Sequence, residues 1–181
     1  MLFLVHNHEE CVRHLWKIQR LDVDAVDFDG KGLAHYAITN NLEFLKFMMY
    51  TMKVPFDIKD NSGRPVLVGD AFFNQSRRNE ISEDVLDWLI DEVGSPKDMY
   101  YKDDSGQTSI LMDYICRNRN LQLDRIKYWI EKRGVDPGFV GQEGKTVFDY
   151  QEDESMEEKF TPEIREYFSS LQNSFKGSGG F

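Results

Sequence analysis

The sequence predicts an all-α chain of stacked helix-turn-helix units, with β-turns or hairpins between successive units. Three observations predict it: a turn phrase that recurs along the chain, an amphipathic helical stretch after each turn, and a short Gly- or Pro-containing phrase that closes each unit.

The turn phrase comes first because a repeat sets the whole fold. Four segments share it: Asp27 to Ala37, Asp60 to Leu67, Asp103 to Leu111, and Gly141 to Tyr150. Each places a glycine three residues after an acidic or small residue and then starts an apolar run. The glycines, Gly30, Gly63, Gly106 and Gly144, stand 33, 43 and 38 residues apart, which suits a 33-residue unit carrying insertions. Asp-x-x-Gly encodes chain reversal, since Asp hydrogen-bonds the backbone just after itself and Gly accepts a positive φ without a steric cost.

A short helix-compatible stretch follows each turn, and then a longer one with apolar residues at helical spacing. In the first full unit these are Leu42, Leu45, Met48, Met49 and Met52, with Asn41 as N-cap. In the second they are Val85, Leu86, Leu89, Ile90 and Val93, behind Ser82 and the first-turn acids Glu83 and Asp84. Ile126, Trp129 and Ile130 make the third stripe. Closing phrases follow at Val54 to Ile58, Val93 to Pro96 and Gly134 to Pro137. At the N-terminal end Val12, Leu15 and Trp16, followed by Leu21 to Val26, read as the second half of one more unit, so the array starts in mid-repeat.

These residues resemble the ankyrin repeat, with its Asp-x-x-Gly-x-Thr-Pro-Leu-His-x-Ala phrase and a second helix ending near Gly-Ala-Asp-Val-Asn. The likeness is clearest at Asp27, Gly30, His35 and Ala37, at Asp60, Gly63 and Leu67, at Asp103, Gly106, Thr108 and Ile110, at Gly134, Val135 and Asp136, and at Gly144 and Thr146. It spans roughly residues 9 to 172. Asp113 departs from it where a small Ala is usual, and the second unit carries extra residues near Asn74 to Glu83. The resemblance implies an ankyrin-like solenoid over residues 1–172. Its expected parts are a half repeat 9–26, units near 27–59, 60–102 and 103–140, and a capping unit 141–172. Residues 173–181 read as a flexible tail.

Composition sets what kind of partner to expect. Thirty-two acidic against 22 basic side chains leave a formal charge of −10, which repels nucleic acid and anionic membrane surfaces and favours a basic protein or peptide. Cys11 and Cys116 stand far apart, and the opening apolar run stops at His6, too short for a signal peptide or a membrane span. The expectation is a cytoplasmic or nuclear protein with no membrane insertion; oligomeric state is not written in the sequence.

No motif points to catalysis, and no cofactor is expected: there is no P-loop, no Gly-x-Gly-x-x-Gly, no Gly-x-Ser-x-Gly and no metalloprotease helix. His6, His8 and His14 near Glu9 and Glu10 form the one cluster with metal-ligand chemistry, but no two of these histidines stand four apart as a shared helix face requires, so no metal is assigned. His35 reads as structural, because no nucleophile or carboxylate lies at a motif distance from it. Arg77-Arg78 is too small a basic island for a targeting signal and reads as a solvated loop. Phe44, Phe47, Met48 and Met49 fit core at helical spacing, with an adaptable binding surface as the other reading.

What the resemblance leaves is the concave groove of such arrays, lined by turn tips and the exposed side of each first helix. Carried over by position, the tips are Phe28, Asp29 and Lys31, then Asn61, Ser62 and Arg64, then Asp104, Ser105 and Gln107, then Gln142, Glu143 and Lys145. Helix positions facing the groove include Thr39, Asn40, Phe72, Phe73, Ile115 and Cys116. Exposed aromatics anchor protein interfaces, so Phe72, Phe73, Tyr100 and a part-exposed Tyr101 are the expected hot spot. The other reading of Phe72 and Phe73 is that they fill space opened by the insertion. The expected function is a protein-protein interaction module. A regulatory or positioning domain of a larger enzyme, channel or pathogen effector is the rival, and an enzyme hidden in the array would require a deep pocket of titratable groups.

Overall fold

Each predicted amphipathic stretch needs a neighbour to bury its stripe, and the computed structural model supplies one in each case. It describes residues 9–68, 81–94, 99–104, 106–118, 120–141 and 143–178. Helix is the dominant structure, with one small two-stranded sheet. The chain divides into two units, residues 1–104 and 105–181, and the division falls inside the third turn phrase.

In the first unit α1 (Glu9–Lys17) opens with Glu9 and Glu10 and closes with His14 and Lys17, the charge order that suits the helix dipole. It packs on the next long helix through Trp16, edge-on to Phe47 at 5.6 Å, and Arg13, whose guanidinium lies 3.7 Å from the Phe47 ring centre. The short α2 (Leu33–Ala37) is buried at Leu33, Ala34, His35 and Ala37. α3 (Leu42–Lys46) starts at the expected cap, with Asn41 Oδ1 accepting from the Phe44 N–H at 2.9 Å. The next turn phrase leads into a 3-10 turn at Val66–Val68, which packs against α2. α4 (Glu83–Trp88) follows, and its Ser82 stands at the N-cap position without a side-chain cap bond. β1 (Tyr100–Asp103) ends this unit and forms the small sheet with β2 (Gly106–Ser109).

In the second unit α5 (Ile110–Arg117) is capped by Ser109 Oγ, which accepts from the Met112 N–H at 3.2 Å. α6 (Leu123–Lys127) comes next, and α7 (Val147–Glu152) begins with a reciprocal box between Thr146 and Asp149. α7 packs on α5 and on the last helix, α8 (Pro162–Ser178). Between α7 and α8 a 3-10 segment, Glu154–Lys159, is tied down by two cations at helix carbonyls. Lys159 Nζ donates to the Cys116 carbonyl at 2.7 Å, and Arg165 donates to the carbonyls of Gln151, Glu157 and Phe160 at 3.1 to 3.2 Å.

The three long helices end alike: α3, α4 and α6 each run into a π-helical turn, at Phe47–Thr51, Leu89–Val93 and Tyr128–Lys132. Met52 N–H reaches the Phe47 carbonyl at 3.1 Å, and Arg133 N–H reaches Tyr128 at 3.0 Å, five residues back. A π turn adds a residue to the turn and rotates the stripe. That is why Met49 and Ile130, expected on the buried face, are half-buried, while Met48, Met52, Ile126 and Trp129 are fully in the core.

One expectation is corrected. α8 runs on through Ser178, so residues 173–178 are helical rather than a tail; no helix breaker precedes Gly177. Asp113, the departure from a small Ala, is buried and ion-paired with Arg117 one turn later at 2.5 Å, which neutralises it in place. Phe44 and Met48 are fully buried, as core residues and not a binding surface, with Phe47 and Met49 half-buried beside them.

Candidate partner-binding surface

The tips repeat as geometry, not only as sequence. In the first, Asp27 N–H donates to the Lys31 carbonyl and Gly30 N–H to the Asp27 carbonyl, both at 3.0 Å. In the second, Asp60 N–H donates to Arg64 and Gly63 N–H to Asp60, both at 2.9 Å. In the fourth, Gly141 N–H donates to Lys145 at 2.9 Å and Gly144 N–H to Gly141 at 3.0 Å. All four glycines have positive φ: 75° at Gly30, 79° at Gly63, 118° at Gly106 and 71° at Gly144. Val26 pairs with Gly32, and Lys59 with Pro65, as single antiparallel bridges behind the first two tips.

The aspartates hold these turns. Asp27 Oδ1 accepts the N–H groups of Asp29 and Lys31 at 2.9 and 2.8 Å, and its other oxygen takes the Tyr36 hydroxyl. Burial opposes ionisation of Asp27, but the Tyr36 hydroxyl and the Lys31 and Asp29 N–H groups outweigh it and hold the carboxyl below its usual range. Asp60 takes the Ser62 and Arg64 N–H groups at 2.9 and 3.0 Å and pairs with the Arg64 guanidinium at 2.8 Å.

Within the first unit the tips lie side by side. Asn61 donates its N–H to the Asp29 carbonyl at 2.8 Å and its side-chain amide to the Phe28 carbonyl at 2.9 Å. Glycine is required twice over at these positions. A Cβ on Gly30 would come within 2.3 Å of Asn61 Oδ1, and one on Gly63 within 2.7 Å of the Lys102 carbonyl. His35 is buried behind the first tip, with Nδ1 accepting from the Gly32 N–H at 3.2 Å, so the proton sits on Nε2. Burial lowers its pKa, against a smaller opposing pull from Asp60 and the Arg64 backbone, and the ring is held neutral in a structural role.

The expected binding residues divide sharply. Asp29 and Asp104 are exposed, as is Asn61, although its amide is engaged by the neighbouring tip. Arg64 is half-buried in its pair with Asp60, and Asn40 is half-buried with its amide on the Ala37 carbonyl at 2.8 Å. Tyr100 and Thr39 are half-buried. In the second unit Gln107 is exposed and Cys116 half-buried, its thiol pushed up mainly by burial.

Three placements correct the sequence reading. Tyr101 is only 7% exposed, because alternation along β1 turns it inward together with Asp103. Lys31 is 5% exposed, its stem covered while Nζ reaches Asp29 at 3.5 Å. Ile115 is fully buried in α5 and faces no groove. Phe72, Phe73, Arg77, Arg78, Ser105, Gln142, His6 and His8 lie outside the described residues.

The apolar side chain that does stand out is Phe28, 101% exposed at the first tip, with Val26 at 60% two residues before it. The sequence places Phe28 at a tip, and register sets it apart there: a shift of 33 residues matches Phe28 to polar Asn61 and Val26 to Lys59. Among the described residues no group of three His, Cys, Asp or Glu could hold a metal ion, and no helix is long and apolar enough to cross a membrane. No protein-family model matches the chain, and no curated protein matches it.

Proposed function

We propose that the chain is a protein-recognition module of stacked ankyrin-like repeats that binds a protein or peptide of basic character through its turn tips, without catalysis, in the cytoplasm or nucleus. The observation that supports this most is the recurrence of one glycine turn at the first, second and fourth tips, with Asn61 hydrogen-bonded onto the neighbouring tip. Tips locked side by side present their outward side chains as a preorganised row, so little conformational entropy is lost when a partner binds. In the first unit that row includes Phe28, Asp29 and Asp104. Its carboxylates, on a chain of formal charge −10, favour a cationic partner and speed encounter with it.

The test is affinity capture from cell lysate with the full chain beside an Asp29→Lys, Asp104→Lys variant whose circular dichroism matches the parent. A protein retained by the parent and lost by the variant supports recognition through the tips. The same protein held equally by both places recognition elsewhere on the chain.

A further inference from the structure

We propose that Val26 and Phe28 form a docking edge for an extended segment of a partner protein in which an apolar side chain is flanked by lysine or arginine. The proposal rests on the tip-recognition reading and names the chemistry of the partner.

The first two tips share their hydrogen bonds and their glycine φ, so a side chain at matched positions leaves the turn in the same direction. Along that outward side the second tip carries Lys59 and Asn61, as a solvated turn should. The first tip carries Val26 and Phe28, both exposed. Gly32, paired with Val26, has no side chain to cover it. A Cβ built there would meet Ile58 Cδ1 at 2.7 Å and Val26 Cγ1 at 3.9 Å, so Ile58 and Val26 both lie against the bare Gly32. A wholly exposed Phe two residues after an exposed Val is a ready anchor for an apolar side chain.

Charge selects the occupant. Residues 21–30 carry four aspartates, Asp22, Asp24, Asp27 and Asp29, and no cation. Asp22, Asp24 and Asp29 are exposed, and the nearby Lys31 is buried. Cationic residues on either side of the partner's apolar anchor meet these carboxylates, whereas a second copy of this acidic chain would bring like charge against them.

The experiment is selection of random dodecapeptides displayed on phage against the full chain, followed by fluorescence anisotropy of the selected peptides. Parent, Phe28→Ser, an Asp22→Asn, Asp24→Asn, Asp29→Asn variant, and the Asp29→Lys, Asp104→Lys variant are compared. The expected result is enrichment of Lys or Arg around an apolar residue, with affinity lowered about tenfold or more by Phe28→Ser. The triple Asn variant should weaken binding further at about 0.05 M than at about 0.5 M salt. Peptides without basic enrichment, or ones indifferent to Phe28→Ser, overturn the proposal. If such peptides are still lost to the Asp29→Lys, Asp104→Lys variant, tip recognition stands and the docking edge fails. If no peptide is enriched on the parent, both fail. Self-association of the parent that Phe28→Ser abolishes makes a second copy the occupant and also overturns the proposal.

Discussion

Asn61 donates its backbone N–H to the Asp29 carbonyl at 2.8 Å, so each of these two residues belongs to a different tip and the bond fastens one turn to the next. The Asn61 side-chain amide adds a second link, to the Phe28 carbonyl. Asn61→Ala keeps the first bond and removes the second, an exposed one. The expected cost is about 0.5–1 kcal/mol, read as a lower urea midpoint at unchanged slope.

Gly30 and Gly144 separate backbone strain from crowding. Both have φ near 70°, at 75° and 71°, so alanine pays the left-handed penalty at either. Nothing lies within 4 Å of a Cβ on Gly144, whereas one on Gly30 meets Asn61 Oδ1 at 2.3 Å and the Asn61 backbone nitrogen at 2.8 Å. Gly144→Ala is expected to cost about 1 kcal/mol, and Gly30→Ala roughly 2 kcal/mol more. Equal losses in chemical denaturation would mean that the tips do not touch as described.

Lys53 occupies the left-handed position, φ 63°, just past the π turn that ends α3, and Gly134 holds the matching place after α6 at φ 67°. The hydrogen bonds match as well, Val54 to the Met48 carbonyl at 3.0 Å and Val135 to Trp129 at 2.9 Å. Lys53→Gly is therefore expected to stabilise the protein by about 0.5–1 kcal/mol, through relief of left-handed strain at a helix end. Thermal melting tests the sign, and a lower midpoint would contradict it.

His35 makes stability depend on pH. Its folded pKa lies below the ordinary 6.5, so as pH falls the unfolded chain takes up this proton first. Stability is full above about pH 6.5 and declines below it until the folded pKa is reached. Asp27 acts lower down: with its folded pKa below the ordinary 3.8, its contribution is present above that value and lost as pH falls through the folded pKa. Urea midpoints between about pH 7.5 and 5 should fall for the parent and stay flatter for His35→Asn. Parallel curves would show that another group titrates there.

Legibility followed the range of the interactions involved. Turn phrases at Gly30, Gly63, Gly106 and Gly144, the Asn41 cap and the stripes around Leu45, Leu86 and Ile126 rest on contacts a few residues long, and each is found where the sequence places it. The burial of Tyr101, Lys31 and Ile115 could not be read that way, because it depends on neighbours brought up from elsewhere in the chain. The π turns lay hidden for a related reason: 3.6-residue periodicity has no marker for one added residue per turn.

By itself the sequence determined where the chain reverses, which stretches are amphipathic helices, and that the surface is acidic. Turns, caps and stripes are local consequences of Asp, Gly and apolar spacing, so no tertiary knowledge is needed to see them. Only the tertiary structure decided which tip residues face water. Phe28 and Tyr101 are both aromatics near a turn, yet one is wholly exposed and the other is turned into the core by strand alternation, because burial depends on which surfaces pack together.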